Sequence, residues 1–136
     1  MIESEGGEDV SGPLRDAASE SWAVRAAAGR SLAASADAPA AVDVLHRLLL
    51  DEWDTAVTQE TAEALLERRD VFGLRLVLLA LAVADDDTAD HLDDALTHVC
   101  RRSDDDVALL ERFCLELASD PSEGVRREAA AILLRP

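Results

Sequence analysis

The feature that most constrains this chain is a three-point apolar ladder that returns four times. Val24, Ala28 and Leu32 stand at i, i+4 and i+8, one face of a single helix. A step of 33 residues leads to Val57, Thr61 and Leu65, a step of 35 to Leu92, Leu96 and Cys100, and a further 33 to Val125, Ala129 and Leu133. The segments between them repeat as well: Leu45, Leu48 and Leu49 map onto Leu78, Leu81 and Ala82, and these onto Leu110, Phe113 and Cys114. One apolar stripe cannot be hidden by its own helix, so two alternating helix types with a period near 33 must stack on their neighbours.

Punctuation agrees with that period. Breaks fall near Ser21, Asp37-Ala38-Pro39, Asp51 to Asp54, Asp70, Ala84 to Asp87, Ser103 to Asp106 and Asp120-Pro121-Ser122. Ser and Asp cap helix N-termini, and proline fits the first turn. Pro13 opens a further short helix to about Glu20, which makes about eight helices and no strand pattern. Aromatic residues amount to Trp22, Trp53, Phe72 and Phe113, so the core must be Ala, Leu and Val, suited to close helix packing. Residues 1–10 hold four acids and two glycines and are expected to be a disordered tail ahead of one domain over 11–136.

The residues at the ladder's entry are more specific. Asp120-Pro121-Ser122-Glu123-Gly124-Val125-Arg126-Arg127-Glu128-Ala129 resembles the turn and second helix of a HEAT repeat, an Asp followed by Val-Arg-x-x-Ala. Ser21 to Ala28 is similar without the turn Asp, and Asp51 to Leu65 keeps Asp and Val with Thr58 for Arg. The copy at Asp86 to Leu96 carries Leu92-Asp93 instead of Val-Arg. The likeness spans residues 12–136 and extends to the short HEAT-like repeats of bilin lyases. It implies an all-α fold, a right-handed α-α superhelix (solenoid) of about four antiparallel helix pairs, with Val-Arg helices on the concave side. It also implies that Arg25 and Arg126 pair with turn aspartates, Asp120 with Arg126 in particular.

Outward positions of the Val-Arg-type helices are then the candidate partner surface: Arg30, Gln59, Glu63, His91, Asp94, His98 and Arg127. Asp87, His91, Asp94 and His98 form a stripe of metal-ligand chemistry, yet His91 and His98 stand two turns apart, too far to share one tetrahedral ion. No metal or cofactor is expected. The runs Asp85-Asp86-Asp87 and Asp104-Asp105-Asp106 lack a calcium-loop pattern and are assigned to helix capping. Trp22 and Trp53, each at the turn into a Val-Arg-type helix, are expected to pack over helix ends.

The formal net charge of −16, from 29 acids and 13 bases, repels phosphate backbones and attracts basic surfaces. Residues 83–106 are the most acidic strip, nine acids against two arginines. No Gly-rich phosphate loop, nucleophile elbow or paired Cys and His stands in the sequence. Cys100 and Cys114 lie in apolar helical patterns and are expected to be buried, reduced thiols. The N-terminus lacks an apolar signal region, and the longest apolar stretch, Leu76 to Ala84, is too short for a bilayer.

These readings converge on a cytoplasmic, non-enzymatic scaffold or adaptor that binds another protein, a basic segment by preference, on its concave face. Nucleic acid and membrane are not expected partners; the chain is a monomer or a homodimer through bare solenoid ends. The resemblance leaves two alternatives: a bilin-lyase-like accessory, which needs a reactive thiol, and a HEAT-like DNA-repair protein, which needs a basic concave face.

Overall fold

Among the described residues, six of the eight helices begin where a side chain closes the first turn. The computed structural model describes residues 10–135, which hold α1 (Ser11–Asp16), α2 (Trp22–Ala33), α3 (Pro39–Leu49), α4 (Thr55–Leu66), α5 (Val71–Val83), α6 (Asp86–Cys100), α7 (Asp104–Leu117) and α8 (Glu123–Leu134). Ser21, Asp54, Asp70, Asp85, Ser103 and Ser122 each accept a backbone N–H of their own first turn. α3 starts instead on Pro39, whose missing N–H is no loss there. There is no strand among the described residues, so the fold is all-α. α1 is shorter than expected and stops at Asp16, while Val10 caps it and packs against the core. The rest of the expected tail, residues 1–9, lies outside the described residues.

The ladder is the core. Ala28, Leu32, Val57, Thr61, Leu65, Leu92, Leu96, Val125 and Ala129 are buried; Cys100 and Leu133 are half-buried, and only Val24 is exposed. α2 packs on α4 and α4 on α6, as the repeat requires. The first crossing is close: a Cβ on Gly29 would stand 2.1 Å from Thr61 Oγ1, so only glycine fits. These three helices run parallel. Arg68 after α4 donates to Ala33 O at the end of α2 (2.7 Å), and Arg102 after α6 reaches Glu67 after α4 (3.2 Å).

The last helix departs from the pattern. α8 packs on α5 and α7 rather than on α6, which it meets through Arg135, 3.6 Å from Asp93. α5 explains this. Its sequence, VFGLRLVLLALAV, is apolar on every side, and it packs against α3, α4, α6, α7 and α8. The turn before α8 is fastened to it: Arg75 grips Asp120 through two bonds of 2.8 and 3.1 Å. The expected Asp120–Arg126 pair does not form. Arg126 Nη1 donates to the backbone carbonyls of Asp120 and Pro121 instead (2.7 and 3.1 Å), because the Asp120 carboxylate already belongs to Arg75.

Candidate functional site

The outer face of the α2–α4–α6 row gathers most of the residues singled out from the sequence. Arg30 on α2 pairs with Glu60 on α4. One residue away, Gln59 donates to Glu63 (3.3 Å) and its Oε1 lies 3.3 Å from His91 Nδ1 on α6. Gln59, Glu63 and His91 thus form one polar chain across two helices, with Arg30 beside it. Asp94 and His98 are exposed further along α6. Arg127 does not join them. It sits on α8, where Nη2 lies 3.5 Å from Ala82 O at the end of α5, a consequence of α8 packing on α5.

Charge on this face is lopsided. Glu60, Glu63, Glu67, Asp87, Asp90 and Asp94 are exposed or half-buried, while Arg30 and Arg102 are already paired with Glu60 and Glu67. His91 turns toward Gln59 across the row, and among the described residues no three His, Cys, Asp or Glu side chains converge as a metal site would require.

The N-terminal edge of the row holds the turn-aspartate pair expected for Arg25, with a partner and a covering ring that the sequence did not disclose. Arg25 is held by Asp51 through two bonds, 2.9 and 3.1 Å, with both side chains almost wholly buried (6% and 4% exposed). Its third donor goes to Ser19 O (2.9 Å), and Asp51 also accepts the backbone N–H groups of Trp53 and Asp54 (3.2 and 2.9 Å). This Arg–Asp contact is the kind implied by the repeat resemblance, made here to the following turn. Above it, the Trp53 ring centroid lies 5.6 Å from the guanidinium carbon.

Both tryptophans overturn the expectation of packing. Trp53 is 79% exposed and Trp22 48%. The Arg25–Asp51 pair already fills the space beneath the turn, leaving Trp53 to cover it with one ring face and show the rest to solvent. An open cleft lies on one side of Trp53, lined by Ala17, Ala18, Val44, Leu48 and Leu50 together with His46 and Arg47. A second lies between the α3–α4 turn and the start of α6, with Glu52, Asp54, Asp85 and Asp87 on its walls. The only advance signal was a tryptophan among acids in Asp51-Glu52-Trp53-Asp54.

The two aspartate runs divide in role. Asp85 caps α6, as expected, and the Thr88 N–H it receives holds its carboxyl below the usual value. In the second run the cap is Ser103, while Asp106 is buried and ion-paired with Arg69, which pulls its carboxyl down. Arg69 reaches it from the α4–α5 turn with a left-handed backbone, φ 58°, uncommon for a residue with a Cβ. Beside this pair is a pocket lined by Leu66, Leu74, Cys100, Leu110 and Phe113. Burial pushes the Cys100 and Cys114 thiols up to about 11 each.

No family model matches this sequence, and no curated protein does. Among solved structures, the chain is similar to the crystal structure of an engineered protein from the Northeast Structural Genomics Consortium, at 22% identity and a TM-score of 0.38. That match covers 93% of this chain, which spans 61% of the engineered protein. Among the described residues, no helix is long and apolar enough to cross a membrane.

Proposed function

We propose that this chain is a cytoplasmic, non-enzymatic interaction module of HEAT-type repeats, forming a right-handed solenoid, and that it acts as a scaffold or adaptor. Its partner is another protein, received through a basic segment on the α2–α4–α6 face. The observation that carries this reading is the charge of that face: of six carboxylates along α4 and α6, Glu60 and Glu67 neutralise Arg30 and Arg102, and Glu63, Asp87, Asp90 and Asp94 have no arginine paired with them. Such a field accelerates encounter with a basic surface and rejects phosphate backbones, so a nucleic-acid-binding role is the weaker reading. A lyase-like role needs a nucleophilic thiolate, and burial holds both thiols protonated, which also favours the binding module.

The test must separate a specific face from the general attraction of an acidic chain. A fluorescein-labelled nona-arginine peptide is titrated into the wild-type chain, into Glu63→Arg/Asp94→Arg, and into Glu111→Arg/Glu116→Arg on α7, which changes net charge equally. The row-face variant is expected to bind at least tenfold more weakly than the α7 variant. Equal weakening by both removes the face from the proposal.

A further inference from the structure

We infer that Trp53 is the anchor of a docking site for a short segment in which an aliphatic residue stands next to an Arg or Lys. The aliphatic side chain lies in the cleft beside α3, and the cation lies in the acidic cleft toward α6. This inference rests on the reading of the chain as a binder of basic segments, and it names where such a segment is gripped.

Three observations combine. The first is that Trp53 is exposed and yet held. Its backbone N–H bonds Asp51 Oδ2 at 3.2 Å, which holds the turn, and one ring face rests over Arg25, itself locked by Asp51 and Ser19. A fixed aromatic loses little freedom on binding, and tryptophan is the residue type most often found to dominate an interface. Solvent gives this ring no reason to be here, since the Arg25–Asp51 pair is complete without it.

The second is that the clefts flanking Trp53 differ in chemistry. The α3 side has an apolar floor of Val44, Leu48 and Leu50, which suits an aliphatic side chain, and its lining also holds His46 and Arg47, which disfavour a cation there. The α6 side presents Glu52, Asp54, Asp85 and Asp87, and no basic residue lines it. Asp54 and Asp85 are occupied as helix caps, whereas Glu52 and Asp87 are exposed and face a cation unspent.

The third is the ring itself. Its negative quadrupole attracts a cation within about 6 Å of the centroid. One face is taken by Arg25, whose charge Asp51 neutralises, and the other is open. Charge also selects among occupants. A second copy of this chain brings another −16 to an acidic cleft, and nucleic acid brings phosphates. A basic–aliphatic segment meets neither obstacle.

The test uses the full chain, immobilised and panned against a random dodecapeptide phage library. A synthetic peptide carrying the enriched consensus is then titrated in solution. The consensus is expected to join Leu, Ile, Val or Met to Arg or Lys within two residues. Trp53→Ala should weaken the peptide at least tenfold and Asp87→Asn several-fold, both with unchanged melting. In a Trp22→Phe background, which leaves Trp53 as the one tryptophan, the peptide should shift the emission to the blue. An absent, acidic or base-free consensus overturns the site, as does binding by Trp53→Ala at wild-type strength. Peptides lost on Glu63→Arg/Asp94→Arg but indifferent to Trp53→Ala leave the proposed function standing and remove this anchor. Peptides lost on Trp53→Ala but indifferent to those reversals do the opposite.

Discussion

Replacing Asp51 by alanine is the most demanding test of how the row is held. The carboxylate collects four donors: two from Arg25 at 2.9 and 3.1 Å, and the N–H groups of Trp53 and Asp54 at 3.2 and 2.9 Å. Removing it leaves a guanidinium that is almost fully buried, with only Ser19 O as partner. Uncompensated burial of one member of such a pair costs about 3–5 kcal/mol. A domain of this size is stable by about 5–15 kcal/mol in total, so about a fifth of the fold's margin at the least is at stake. With an unfolding entropy of about 2 cal/mol/K per residue, Tm should fall by about 10–20 °C. Circular dichroism melts and urea titrations of Asp51→Ala, Arg25→Met and Arg25→Met/Asp51→Leu measure this directly. The double variant should regain much of the loss, since an apolar pair satisfies the site without a stranded charge. A single Asp51→Ala within about 1 kcal/mol of the parent, or a double variant as weak as the two losses added, would refute the reasoning.

The turn before α8 makes a second, sharper case: a double-mutant cycle on Asp120 and Arg75 should give coupling of about 1 kcal/mol, lowered by the partial exposure of Arg75, while Asp120 and Arg126 should give none. The opposite ranking would return the turn to Arg126. For pH, Arg75 holds Asp120, and Arg69 holds Asp106, below the ordinary carboxylate value, so both depress the folded pKa. That stability is fully present above about pH 4 and is lost as pH falls through the lowered values. Urea midpoints of Arg75→Gln should show a shallower decline below pH 4 than the wild type, and an identical decline would exclude Asp120 from it. Thiol labelling tests the two cysteines: with both thiols near 11, about one in ten thousand is ionised at pH 7, so folded protein should react with a disulfide reagent orders of magnitude more slowly than in urea. Comparable rates in the two states would restore the reactive thiol of the lyase-like reading.

How much of this was legible follows from what periodicity reports. A ladder at i, i+4 and i+8 says which side of a helix is buried, and the buried sides of α4 and α6 match it. Caps are local, so Ser and Asp placed the six capped helix starts, and the stacking of α2, α4 and α6 followed from one repeated stripe. Trp53 was misread because a lone turn tryptophan has two places to go. Sequence alone does not reveal that an Arg–Asp pair 26 residues apart already occupies the inner one. Asp106 was misread for a related reason: it stands in a run of three acids at a helix start, but its partner Arg69 comes from another turn 37 residues away.

The fourth copy of the ladder shows how a repeat can keep its pattern and change its neighbour. At the position of Arg25, the successive copies carry Thr58, Asp93 and Arg126. Arg25 on α2 binds the turn that leads into α4. The equivalent residue on α6 is Asp93, a carboxylate, which cannot bond an aspartate in the turn before α8 as Arg25 does in the turn before α4. Like charges cannot make that joint, and Arg75 on α5 supplies the missing cation. Once the turn is fastened there, the same Val125 and Ala129 that could have met α6 are buried against α5 and α7. Asp93 Oδ1 is left buried without a hydrogen bond, with Arg135 facing it at an ion-pair distance of 3.6 Å. The parallel row therefore ends at α6, the most acidic of its three helices, and the outward carboxylates of α4 and α6 are not diluted by the arginines of α8. The missing arginine does not act alone, since α4 carries Thr58 at that position and still packs on α6; it is the Arg75–Asp120 bond that ties the turn before α8 to α5.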